Sequence, residues 1–413
     1  MSEGHGPIPE TPETPPGWAA EQPPPYGAQG PSPWTAPGSE APGQQPPPPP
    51  AYGPPPQQQQ HHPGPGYGYA PPPALRPGII PLRPLGLGDI FDGTIKLIRS
   101  NPRVMLGLSA VVAACAAVPV AIGQAVLLRD MGSLIANPGT TEADIDRMGG
   151  GFLGQYGGSI ISVFIGLVAV TVLTGMIMRV LGRAVFGGKI TAGEAWQLVK
   201  GRMGALFGVA GLTLALLLAP LVLIIPVFLL MSGVVAGQGA GGAAIGIGMV
   251  LLVFVLYIAY VLFINSRFSF ASAAAVLEGL GPVAAMRRSW DLVTGDFWRV
   301  LGILLLTSVL ANMISSLLLI PFMIIGFVVA IVGGGSLAAA VISAVLMAIG
   351  STIGAMIAYP IQSGVAGLLY TDRRMRSEAF DLVLQTAAIE QQRQGWVHAS
   401  ADELWHPSNA SRP

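Results

Sequence analysis

Long stretches of the chain contain neither a charged side chain nor a histidine. They cover residues 104–128, 148–178, 203–266 and 300–371. A helix needs about 20 apolar residues to cross a bilayer, so the first two stretches predict one crossing each. The other two are long enough for two crossings each. Both are interrupted by glycine-rich segments, GQGAGG and GGGS, which are typical of turns.

The predicted fold class is therefore all-α, a polytopic bundle of six transmembrane helices. The predicted spans are residues 104–128, 159–177, 206–235, 243–264, 300–332 and 337–369. Composition agrees with this assignment, because only 10% of the residues are charged and 51% are hydrophobic. Soluble domains contain about 25% charged residues, so a water-soluble core is excluded.

The cationic side chains are distributed unevenly around these spans. Of the 21 Lys and Arg residues, only Arg129 and Arg147 fall between the first and second spans, and none lies between the third and fourth or the fifth and sixth. Cytoplasmic loops carry the excess of Lys and Arg, so both termini are expected in the cytoplasm. An even number of spans satisfies that arrangement.

Changes in composition along the chain predict three domains. Residues 1–81 form a Pro/Gln/Gly-rich tail, since 25 of the 38 prolines and no Lys or Arg lie in residues 1–75. Such a segment is expected to be disordered, either as a docking arm for partners or as a solvated spacer. Residues 82–370 form the membrane domain. Residues 371–413 form a second cytoplasmic tail containing an amphipathic helix.

The membrane domain contains an internal repeat. The segments TIKLIRSNPRVMLG, AWQLVKGRMGALFG and SWDLVTGDFWRVLG align at residues 94–107, 195–208 and 289–302. They predict three copies of one unit, each a surface helix followed by a helical hairpin. In the third copy, apolar residues at helical spacing share one face of the predicted helix: Val283, Met286, Trp290, Val293 and Phe297.

Three segments resemble a bacterial membrane-protein family. They are LRPLGLGDIFDGTIKLIRSNP from residue 82, GPVAAMRRSWDLVTGDFWRVLGI from residue 281, and LLYTDRRMRSEAFDL from residue 368. The family is named for the membrane domain of glycerophosphoryl diester phosphodiesterase, and the resemblance covers roughly residues 80–385. It implies a six-span bundle in the cytoplasmic (inner) membrane.

Phosphodiesterase activity is not carried over with the resemblance. Hydrolysis of this type needs histidines and a carboxylate cluster that holds a divalent metal. The five histidines all lie in the tails, at His5, His61, His62, His398 and His406. We therefore expect no enzyme activity, no catalytic residue, no cofactor, no metal site and no nucleic-acid binding.

One set of polar residues could form a site within the spans. Ser308, Asn312 and Ser315 share a face of the fifth span, and Thr352, Tyr359 and Gln362 share a face of the sixth. They could line a groove for a lipid headgroup or small solute, or could form interhelical hydrogen bonds that fix the bundle. The basic residues Arg373, Arg374 and Arg376 are expected to determine topology or to contact anionic lipid.

The leading functional hypothesis is a non-enzymatic membrane protein that organises or recruits partners or lipids. Membrane lipids are its expected partners, together with proteins bound through the proline-rich tail. One alternative is an uncoupled transporter or exporter component for a lipid-like or small molecule. Another is the membrane subunit of an enzyme encoded elsewhere.

Overall fold

The computed structural model describes residues 77–136, 142–236, 239–394, 404–406 and 408, all within one compact unit of the chain. The predicted disordered tail, apart from its last residues, lies outside them. In this part every regular element is a helix: α1 (Leu87–Ser100), α2 (Pro102–Ala136), α3 (Glu142–Ala184), α4 (Ala192–Lys200), α5 (Met203–Leu218), α6 (Leu221–Ala236), α7 (Gly239–Phe268), α8 (Ala271–Leu277), α9 (Pro282–Thr294), α10 (Phe297–Val332), α11 (Leu337–Glu378) and α12 (Phe380–Gln394).

Among the described residues, six helical stretches are long and apolar enough to cross a membrane, as the sequence predicted. They are Pro102–Ser133, Gly149–Ala184, Met203–Phe228, Ala244–Leu277, Phe297–Val332 and Leu337–Glu378. The predicted turn at residues 333–336 separates α10 from α11, and there Gly335 has a φ of 80°. A Cβ at Gly335 would lie 2.7 Å from the backbone N of Ser133, so glycine also permits close contact with α2.

The predicted spans differ from the structure mainly at their bounds; the second, predicted at residues 159–177, lies within a helical stretch from Gly149 to Ala184. The predicted third span is broken, because α5 ends at Leu218 and α6 begins at Leu221 on either side of Ala219 and Pro220. The helix that contains the predicted sixth span is longer than predicted, because α11 continues beyond residue 369 to Glu378. The boundary predicted at residue 370 therefore falls inside a helix.

The break at Pro220 leaves a backbone carbonyl without its usual helical partner. The carbonyl of Leu216 would accept a hydrogen bond from the N–H of residue 220, and proline has none. The hydroxyl of Tyr260 in α7 donates to this carbonyl at 2.7 Å, and Tyr257 donates to the carbonyl of Leu217 at 3.2 Å. Because lipid supplies no hydrogen-bond partners, these two tyrosines stabilise the hairpin of α5, α6 and α7.

The six spans are packed unevenly. Helix α11 packs along α10 and α2, and α2 packs along α3, to form a four-helix group. In an apolar 18-residue segment of each span, only 6% of the residues are buried in the third and fourth spans, against 33% in the sixth. The hairpin formed by α5, α6 and α7, here called the middle hairpin, is thus held less tightly than the four-helix group.

A short helix precedes α2, α5 and α10, where the sequence segments align. These helices are α1, α4 and α9, and each has one buried face. In α9 the predicted face is divided, because Met286 and Val293 are buried whereas Val283 and Trp290 are exposed. The buried side also contains Ser289, which donates a hydrogen bond to the carbonyl of Arg267 and accepts one from the N–H of Phe270.

The main hydrophobic core lies at one end of the bundle. It contains buried residues from α1, α4, α8, α9 and α12, together with the last turns of α3 and α11 and the first turns of α10. This end, which we call the charged end, also carries most of the arginines of the described residues. The core is therefore concentrated where the chain leaves the apolar spans.

Substituting Tyr260 with phenylalanine tests the role of the hairpin tyrosines. The Leu216 carbonyl loses its partner, and we expect the free energy of unfolding to fall by about 1–3 kcal/mol. Tyr156→Phe is the matched control, since this side chain is 65% exposed. The measurement is thermal unfolding in detergent micelles, and equal midpoints for the two variants would contradict the assignment.

Candidate functional site

The charged end contains three groups of ion pairs, most of them buried or partly buried, which are here together called the ionic cluster. Its carboxylates belong to Glu278, Asp296, Asp372 and Glu378 and its guanidinium groups to Arg288, Arg299, Arg373, Arg374 and Arg376. Buried charges are costly unless they are paired and hydrogen-bonded. The sequence did not predict this cluster, and lipid contact by Arg373 and Arg374, one of the two roles expected for them, is wrong, because both are buried.

Glu278 lies directly after α8, and its side chain is fully buried. Nε of Arg288 donates to both of its carboxylate oxygens at 3.1 Å, and the hydroxyl of Tyr370 donates to one of them. Burial lowers the pKa of Arg288, but the carboxylates of Glu278 and Glu378 outweigh that effect and raise it overall. Arg288 therefore stays cationic at physiological pH and joins α9 to the end of α11.

Asp372 connects three separate parts of the chain. Its side chain is fully buried, it pairs with Arg299 at the start of α10, and it accepts from Nε of Arg376 at 2.9 Å. The same carboxylate accepts from the N–H of Leu85 at 2.7 Å. The carbonyl of Leu85 in turn accepts from Arg299 at 2.9 Å and from Arg376 at 2.8 Å. The segment before α1 is thus fixed to α10 and α11 through one residue.

Arg373 fixes the turn between α9 and α10. It pairs with Asp296, and its Nε donates to the carbonyl of Leu292 at 3.0 Å. Asp296 occupies the N-cap position of α10, but its side chain makes no capping hydrogen bond. Its carboxylate is used for the ion pair instead.

A tryptophan from the C-terminal tail completes the cluster. Trp405 is fully buried and stacks against Tyr370 with ring centroids 6.5 Å apart. Its carbonyl accepts from Nη1 of Arg374 at 3.1 Å, and its indole N–H donates to the carbonyl of Gly182 at 3.4 Å. Arg374 also lies 4.1 Å from the ring centroid of Phe380. The tail therefore covers the most deeply buried arginine.

A cavity of about 530 Å³ lies next to the ionic cluster, between the middle hairpin and helices α3, α10 and α11. It is partly open, and none of the described residues that line it is charged. Leucine side chains form much of its wall. Its polar side chains are Thr174, Thr213, Asn265, Ser266, Ser269, Ser272, Thr307, Ser308, Gln362 and Ser363.

Several of these polar side chains lack a protein partner. Asn265, Ser269, Thr307 and Ser308 donate to backbone carbonyls three or four residues earlier. Six others form no side-chain hydrogen bond within the described part of the chain: Thr174, Thr213, Ser266, Ser272, Gln362 and Ser363. Their donors and acceptors are therefore available to water or to a bound molecule.

The structure divides the polar groove predicted from the sequence. Ser308 and Gln362 line the cavity, whereas the other four residues do not. Asn312 and Thr352 donate to carbonyls of their own helices, and Ser315 donates to the carbonyl of Gly354 across the α10–α11 contact. Tyr359 packs against the main core.

Substituting Asp372 with asparagine tests the ionic cluster. Arg299 and Arg376 lose the charge that compensates their partial burial, and we expect a loss of about 3–5 kcal/mol in the free energy of unfolding. The control is Asp92→Asn, because the exposed pair of Asp92 and Lys96 contributes at most about 1 kcal/mol. Denaturant unfolding of both variants in detergent measures the difference, and similar shifts would rule out a stabilising role for Asp372.

A family model matches residues 242–387 of the chain. No curated protein and no solved structure matches the chain. The matched region contains the whole ionic cluster and the α7, α8, α10 and α11 residues of the cavity, but not the opening segment at residues 82–102 that also carries the resemblance. Residues 242–387 match the family described as the membrane domain of glycerophosphoryl diester phosphodiesterase, which confirms the resemblance over that part of the chain.

Proposed function

We propose that the chain is a non-enzymatic, multi-pass protein of the cytoplasmic membrane that binds a membrane lipid in its cavity. The observation that carries this proposal is the cavity itself. It is partly open, it lies between the middle hairpin and the four-helix group, and it combines leucines with unpaired polar groups. Its volume falls within the range of about 300–1,000 Å³ that is usual for small-molecule sites.

The position of the cavity suits an amphiphile. Its α10 lining runs from Leu301 to Ser308, two to nine residues beyond Arg299. At 1.5 Å per residue these positions lie about 3–14 Å beyond that arginine along the helix. A headgroup held there could extend its acyl chain along the exposed apolar faces of α5 and α7.

Holding a lipid fits the geometry better than moving one across the bilayer. Farther from the charged end, Asn312, Ser315 and Thr352 are bonded within α10 and α11 and do not continue the cavity. The acidic residues of the ionic cluster are engaged in ion pairs, which favours a structural role over acid–base chemistry. We further propose that residues 1–81 recruit protein partners to the membrane.

A tryptophan that fills the cavity tests lipid binding. Thr213→Trp should displace the lipid, because this side chain lines the cavity, whereas Leu212→Trp places the same bulk on an exposed position. Native mass spectrometry of the chain purified in mild detergent should detect one retained lipid in the wild type and the Leu212 variant. Equal lipid occupancy in both variants, or no lipid in the wild type, would contradict the proposal.

The proposed orientation has both termini in the cytoplasm, with the charged end on the same side. Cysteines at Asp146 and Lys189, both exposed in the structure, report on the two sides when Cys115 is replaced by serine. In intact cells an impermeant maleimide should label Asp146→Cys, and it should label Lys189→Cys only after lysis. The reverse pattern would overturn this orientation.

A further inference from the structure

We infer that the cavity selects a lipid whose headgroup is uncharged and carries hydroxyl groups. This inference rests on the proposed function and specifies the ligand class. Its basis is the chemistry of the lining: hydroxyl and carboxamide groups, six of them without a protein hydrogen bond, and no ionic group among the described lining residues.

The cations next to the lining residues in the chain do not themselves line the cavity. Arg267, between the lining residues Ser266 and Phe268, has no carboxylate partner among the described residues, but its guanidinium lies 4.4 Å from the ring centroid of Trp290 and its Nη1 donates to Thr294 at 2.8 Å. Arg179, which follows the lining residue Met178, also has a partner. Arg299 is paired with Asp372, and Arg373 is paired with Asp296. A phosphate in the cavity would therefore have to break an existing ion pair or arginine–aromatic contact, or remain buried without a counter-ion.

The unpaired groups match a polyhydroxyl headgroup instead. They lie on five helices: Thr174 on α3, Thr213 on α5, Ser266 on α7, Ser272 on α8, and Gln362 and Ser363 on α11. Each hydroxyl can both donate and accept a hydrogen bond, and a carboxamide offers both kinds of group. A sugar ring presents the same combination around its edge, whereas a phosphate oxygen only accepts.

Of the six unpaired residues, Ser266 is buried and the other five are partly buried or exposed to the cavity. A bound hydroxylated headgroup that displaces water from the cavity keeps their hydrogen bonds satisfied. An anionic headgroup adds the cost of desolvating a charge beside a lining that, among the described residues, contains no cation. Both effects favour the neutral headgroup when the acyl chains are identical.

The experiment compares a monoglucosyl diacylglycerol with phosphatidylglycerol of the same acyl chains. The full-length chain is delipidated in detergent, and binding of each lipid is titrated by native mass spectrometry. We expect the glycolipid to bind at least tenfold more tightly. The double variant Thr213→Val with Gln362→Leu removes two unpaired groups and should reduce that preference to less than threefold.

The matched control makes the same chemical changes outside the cavity. Thr352→Val with Asn312→Leu should leave the preference at its wild-type value, because neither residue lines the cavity. If the first double variant loses its folded peak in size-exclusion chromatography, Thr213→Val alone replaces it.

Two outcomes would overturn the inference in distinguishable ways. Equal or tighter binding of phosphatidylglycerol, sensitive to Thr213→Trp, would refute the headgroup preference and leave the proposed lipid binding intact. Absence of saturable binding for both lipids would refute the inference together with the proposed function.

Discussion

The rest of the structure depends on the pairing of buried charges at the end of α11. Within residues 370–378 this helix supplies partners to α8, α9, α10, α12, the segment before α1 and the C-terminal tail. Each of these charges would be costly if it were buried alone. These contacts bring distant segments of the chain together at one end of the bundle.

This constraint acts unequally on the three pairs of spans. Helices α10 and α11 carry the cluster themselves, and α2 and α3 pack against α11 and against each other. The middle hairpin supplies no residue to the ion pairs of the cluster, and Tyr257 and Tyr260 form hydrogen bonds within it. Among the described residues, its polar contacts with α9 are confined to Arg267 at the end of α7. A loosely attached hairpin beside a fixed group of helices leaves room between them, and the cavity occupies that room.

The spans were predictable because the absence of charge over some 20 residues is a strong signal in itself. The ionic cluster was not predictable in the same way. The basic residues after the sixth span were interpreted as a cytoplasmic flank: Arg373, Arg374 and Arg376. The sequence does not indicate that their partners Glu278 and Asp296, some 80 to 100 residues earlier, lie close to them in the fold. The acidic residues that flank these arginines, Asp372 and Glu378, were the available sequence signal for ion pairs. Similarly, helical spacing grouped Asn312 with Ser308, but only the packing of α7 decides which of them meets the cavity.

The central claim is that paired charges fix the charged end and leave a lipid-sized space beside the middle hairpin. Electron cryo-microscopy of the full chain in lipid nanodiscs tests it most directly. The account predicts the Leu85 peptide held between Arg299 and Arg376, and elongated density between α7 and the pair α10 and α11. A map in which α7 packs directly on α10 and α11, with Asp372 turned away from both arginines, would contradict it.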